Sequence, residues 1–283
     1  MKTVYQRVYL SILCTICMVA LTFGTASAGA PLTNAEGVGG CALNPFAYLA
    51  NTSKDKAVGM PQLGMWNIGL TESDINWWTV GGNITLLNRV ELGYSHEFVD
   101  IQGTQNVDKD NISLKINIIP ENMGDMKFLP AISAGLIWKN TSFDALTLRH
   151  TGGMDYYIVA TKMIGGLPVP LILNAGLLST SGYVRGVLGF GSHRDIAFFC
   201  NIETIMFEKF IVGWEYEQDT DVGKVFKNSD TTYGTHSMWE AHVAYMHTNN
   251  LMLVGSVAYT GDKDNVSQAS FGWGYVLSLQ YAF

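Results

Sequence analysis

Phe271, Trp273, Tyr275, Leu277, Leu279, Tyr281 and Phe283 alternate along the chain with Gly272, Gly274, Val276, Ser278, Gln280 and Ala282. Successive side chains of a strand point to opposite faces. The pattern therefore predicts a strand with one aromatic and aliphatic face and one small or polar face. A transmembrane β-strand needs about 9–11 residues, with aromatics where it meets the two membrane interfaces, and this stretch meets both requirements. As an edge strand of a soluble sandwich it would be a long apolar template for aggregation.

The same alternation recurs upstream. Val90, Leu92, Tyr94, His96 and Phe98 share one face, and Arg89, Glu91, Gly93, Ser95 and Glu97 the other. Ile112, Leu114, Ile116 and Ile118 alternate with Asn111, Ser113, Lys115 and Asn117. Read through, the pattern predicts twelve strands, over 64–71, 77–86, 89–99, 111–119, 131–139, 155–163, 171–180, 195–204, 210–218, 238–248, 251–260 and 271–283. One hairpin fewer or more would give ten or fourteen. Every second connection is short if Phe283 is placed in the periplasm, as in bacterial barrels. Two connections fit less well, the long turn 120–130 and the short loop 72–76. The predicted fold class is all-β, a closed antiparallel transmembrane β-barrel.

The N-terminus supplies the route to such a location. Lys2 and Arg7 precede an apolar run from Tyr9 to Phe23, and Ala26-Ser27-Ala28 is a small-residue cleavage site. Residues 1–28 are a secretory signal peptide. Residues 29–62 lack alternation and read as a periplasmic or plug segment, with the barrel over 63–283. With Lys2 and Arg7 gone, 15 basic residues of the original 17 face 24 acidic ones, a formal charge of −9 that argues against a nucleic-acid partner. Cys14 and Cys17 also leave, and Cys41 and Cys200 read as two free thiols.

Asn88-Arg-Val-Glu-Leu-Gly-Tyr-Ser95, Ala160-Thr-Lys162, Leu188-Gly-Phe-Gly191, Val212-Gly-Trp-Glu-Tyr216 and Gly272-Trp273 with Leu277-Ser-Leu-Gln280, in that order, resemble a family of bacterial outer-membrane proteins catalogued as domain of unknown function 3034. The resemblance covers most of the mature chain. It implies a barrel in the bacterial outer membrane, and it brings no activity and no functional residues. The terminal Phe283 likewise resembles the closing residue by which such barrels engage their assembly machinery. Outer-membrane lipids and lipopolysaccharide are the other expected partners.

The polar faces of a closed barrel line its interior. The predicted lumen-lining residues are Arg89, Glu91, Glu97, Lys115, Lys139, Lys162, Glu203, Glu215, Glu217 and Glu240, with His242 beside them. So many charges within a membrane must face water or one another. Both signs together suit a passive or weakly selective channel for small solutes. The competing readings are a structural or assembly barrel with a blocked lumen and, more remotely, a lipid-modifying enzyme. For the enzyme, a two-residue spacing puts His242 and Glu240 roughly 6–7 Å apart, long for a direct bond. His96 faces lipid without a partner in its own strand. No catalytic residue, cofactor or metal ligand set is expected. The repeated Asp-Lys-Asp-Asn at 108–111 and 262–265 predicts acidic tips of outer loops. Trp77, Trp78, Trp138, Trp214, Trp239 and Trp273 suit the interfacial girdles.

Overall fold

Leu87 and Asn88 take left-handed φ angles of 52° and 51°, as do Phe207 and Glu208 at 51° and 59°. Two consecutive left-handed residues make the tight hairpin turn whose twist matches that of the flanking strands. Such turns set the register of a computed structural model that describes residues 32–52, 56–102, 105–143, 147–262 and 268–283; the predicted signal peptide, residues 1–28, lies outside the described residues. In chain order its strands are β1 (Gln62–Leu70), β2 (Ile75–Leu86), β3 (Val90–Ile101), β4 (Gln105–Ile119), β5 (Ala131–Ser142), β6 (Gly152–Ile164), β7 (Leu171–Gly182), β8 (Phe190–Met206), β9 (Phe210–Glu217), β10 (Thr220–Gly223), β11 (Tyr233–Thr235), β12 (Met238–Met246), β13 (Leu251–Tyr259), β14 (Gln268–Ala269) and β15 (Trp273–Ala282). The short β10, β11 and β14 form a separate small sheet.

The other twelve strands close into one antiparallel barrel, with β15 pairing back onto β1 so that Gln62 stands opposite Ala282 and Gly69 opposite Tyr275. All twelve predicted strands are present. Closure pairs every strand and leaves no open edge, as a sheet in hydrocarbon requires. Side chains such as Leu92, Ile112, Ile116, Ile158, Leu177, Ile202, Leu253 and Leu277 are exposed on the outside and form its apolar belt. Trp138, Trp214 and Trp273 join that exterior. Trp77 does not: it lies on the buried, inward phase of β2 and packs with Ile68 and Leu70.

The end bearing Phe283 has short connections at residues 87–89, 165–170, 207–209 and 247–250, with 120–130 the longer exception. At the opposite end the connections between barrel strands are longer at 143–151, 183–189, 218–237 and 260–272, and short at 71–74 and 102–104. The predicted loop up to Asp110 is corrected, because β4 already begins at Gln105. Asp108-Lys-Asp-Asn111 is therefore strand. Lys109 and Asn111 turn inward to Glu97, while Asp110 stays outside beside His96, its Oδ1 2.9 Å from Nδ1. The inward pair gives the ladder a reason to continue. The second copy of the tetrapeptide, at 262–265, falls mostly outside the described residues.

Candidate functional site in the lumen

The lumen is filled by the chain's own N-terminal segment. Thr33 to Ala50 fold as tight turns without a helix, and most of them are buried. The Asn34 side chain nucleates the first turn, its Oδ1 accepting from the amides of Glu36 (3.0 Å) and Val38 (2.8 Å). Gly37 follows with φ 79°, and a Cβ there would strike the backbone of Tyr94 in β3. Glycine is thus required both for the left-handed turn and for the close approach to the wall.

The segment enters and leaves at the end of the short turns. The amide of Thr33 donates to Gln280 (2.9 Å), and Trp66 Nε1 donates to the Thr33 carbonyl (3.0 Å). The chain then reaches toward the loop end at Glu36. Its carboxylate pairs with Lys109 (3.2 Å), Lys139 (2.5 Å) and Arg185 (2.8 Å). Each cation holds a second acid: Lys109 binds Glu97 at 2.9 Å, Lys139 binds Asp155 at 2.6 Å, and Arg185 binds Glu217. Burial raises the Glu36 carboxyl, but Arg185, Lys139 and Lys109 outweigh it and hold it well below the usual carboxylate range.

On the way back, backbone groups of the segment are read by wall side chains. Glu91 accepts from the amides of Gly39 and Ala50, both at 2.7 Å. Lys115 pairs with Glu91 at 3.0 Å and donates to the carbonyls of Gly39 (2.8 Å) and Tyr48 (2.9 Å). Glu215 accepts from the amides of Leu43 (3.0 Å) and Asn44 (2.9 Å). Thr161 and Ser133 bind Ala47, and Asn174 binds the Pro45 carbonyl. Orphan amides of an irregular segment are thereby satisfied in the absence of a strand partner.

A third group surrounds His242. Its Nδ1 lies 2.5 Å from Glu240 and its Nε2 2.7 Å from Glu203. The expected separation of His242 and Glu240 is corrected, since the side chains lean together and bond directly. Gly213 permits the arrangement, because a Cβ there would overlap Glu203 and His242 Nε2. Cys41 of the plug stands with its Sγ 3.6 Å and 3.8 Å from the two ring nitrogens. Burial, then Glu203, Glu215 and Glu240, push its thiol well above the usual range. With both ring nitrogens committed to carboxylates, none is left to take a thiol proton, so this cluster is not arranged as a cysteine nucleophile with its base. Cys41 and Cys200 are both free.

Of the predicted lumen residues, Glu91, Glu97, Lys115, Lys139, Glu203, Glu215, Glu217, Glu240 and His242 are buried and face inward. Two do not. Arg89 precedes β3 at an exposed turn, where Nη1 donates to the Asn117 carbonyl at 3.3 Å. Lys162 lies on the outward phase of β6 and reaches Glu121 at 2.9 Å on the rim. Sequence periodicity missed Glu36 and Arg185, which sit outside strands, and Lys109 and Asp155. Arg185 is aimed into the lumen by a loop in which Val184 and Arg185 both take positive φ, 52° and 54°. Val in that region is strained.

Comparison with known proteins follows this architecture. The NanC porin structure has a TM-score of 0.53 at 7% identity, covering 78% of this chain and 98% of that one. The KdgM porin scores 0.49 at 9% identity, covering 78% and 99%. An outer membrane channel from Pseudomonas putida F1 scores 0.45 at 12% identity, covering 82% and 99%. At 7% identity the likeness to the NanC porin is one of fold. No curated protein matches. A family model described as "Protein of unknown function (DUF3034)" matches residues 29–280, and the chain belongs to that family.

Proposed function

We propose that this protein is a bacterial outer-membrane channel for small solutes that its own N-terminal segment closes at rest. The single observation that carries the reading is the filling of the lumen by Thr33–Ala50, held from both sides of the barrel. The likeness of the fold to porins supports a passage, and the apolar belt supports residence among outer-membrane lipids and lipopolysaccharide. Assembly through the C-terminal strand and Phe283 belongs to the same reading. Displacing the segment would expose a wall with both signs of charge, suited to small polar solutes.

A second reading, a barrel that stays closed and serves as structure or assembly partner, draws on the density of the ion pairs around Glu36. Swelling of liposomes in neutral, anionic and cationic solutes separates the two. The channel reading expects swelling with the form lacking residues 29–50 and little with the full chain. Absence of swelling in both forms, with the barrel folded, overturns it in favour of the closed structure.

A further inference from the structure

We propose that Cys41, Glu215, Glu240 and His242 form a site for a divalent metal of the zinc class that staples the plug to the barrel wall. The inference rests on the plug's seat in the lumen and not on solute passage. One donor atom from each of the four lies within 4.8 Å of the others. Thiolate, imidazole and two carboxylates are a tetrahedral zinc donor set. Cys41 comes from the plug, Glu215 from β9, and Glu240 and His242 from β12, so a bound ion would tie three segments together.

The local charge favours a cation. Glu215 and Glu240 stand directly opposite each other in the β9–β12 register. Like charges at opposed positions repel, and here both carboxylates are fully buried. Glu203 adds a third. None of the three pairs with Lys or Arg among the described residues; Glu203 and Glu240 ion-pair with His242, and Glu240 lies within hydrogen-bond reach of Glu215. Glu240 Oε2 and Glu203 Oε1 have no hydrogen-bond partner although their residues are 0% and 2% exposed. An unpartnered buried carboxylate oxygen is costly, and a dication between Glu215 and Glu240 removes that cost at Glu240.

Glu203 is also placed to hold the ligand ring. With Nδ1 on the metal, His242 keeps its Nε2 proton on Glu203, the carboxylate–histidine–metal relay that fixes a ligand ring. Binding replaces the proton between Nδ1 and Glu240 and releases the thiol proton of Cys41 to solvent.

The test uses the refolded full chain stripped of metal, then titrated with Zn²⁺ or Cd²⁺ alone. One ion per chain and a cadmium–thiolate charge-transfer band are expected. Cys41→Ser removes the band and Cys200→Ser leaves it. Glu203→Gln weakens zinc by roughly 10–100-fold while keeping the band at saturating cadmium. No stoichiometric uptake by the folded wild-type barrel, or cadmium bound without a thiolate band, overturns the proposal and leaves a shared proton between the carboxylates. Conductance of the plug-deleted barrel does not depend on this result, so failure here and failure of the channel reading are told apart.

Discussion

Four neighbouring strands of the barrel differ in kind from the rest. β13, β15, β1 and β2 stand side by side and contain no Asp, Glu, Lys or Arg. Their inner faces present Trp66, Ile68, Leu70, Trp77, Val254 and Val276, and a cavity of about 60 Å³ lies between them and the plug. Among the described residues the inward charges of the wall come from β3, β4, β5, β6, β8, β9 and β12 and from the loop carrying Arg185. One lumen is thus closed in two ways. The apolar wall holds by burial, which is non-directional and indifferent to pH. The ionic wall holds by oriented pairs, which fix the position of the plug and can be undone by removing one charge.

The largest expected effect is on the ionic side. Glu36→Ala leaves three buried cations short of a partner and costs about 3–5 kcal/mol of plug docking. In a Cys200→Ser background, thiol labelling of Cys41 should accelerate at least roughly a hundredfold. Unchanged labelling would mean that the apolar wall alone holds the plug. Trp66→Ala, on the apolar side, should cost the fold a similar amount, about 3–5 kcal/mol, read by the denaturant midpoint of the barrel. Its effect should not change with pH.

The outside and inside of β4 give an intermediate case. Leu114→Arg on the lipid face should cost about 2–4 kcal/mol. Ser113→Arg would be tolerated in a water-filled lumen, yet Ser113 is 2% exposed beneath the plug. It too should destabilise the full chain, and deletion of residues 29–50 should rescue Ser113→Arg but not Leu114→Arg. Rescue of both or neither, measured by folded fraction, would contradict the inward and outward assignment.

The smallest effect is that of acid. Glu36 has a lowered pKa when docked, so its contribution is present above the ordinary carboxylate value of 4.5 and is lost as pH falls through the docked value. Cys41 labelling, corrected for thiolate content, should rise only below that range. Glu36→Gln should weaken the dependence and Trp66→Ala should retain it.

The strands were legible because one face of each had to meet lipid, and period two survives wherever the other face is polar. β6 shows the limit. Tyr156 and Ile158 on one face and Tyr157 and Val159 on the other are both apolar, so periodicity cannot choose the inward side, and Lys162 was placed there wrongly. Lys109 was hidden by its acidic neighbours, which read as a loop. Glu36 and Arg185 carry no periodic signal, since their positions come from turns and tertiary pairing. The uncharged wall was present in the sequence: the first two and last two strands lack charges, and barrel closure makes them neighbours.

Single-channel conductance in planar bilayers, for the full chain and the form lacking residues 29–50, tests the central claim most directly. The account predicts a silent full-length barrel and steady conductance after deletion. Steady conductance of the intact chain at rest would contradict it.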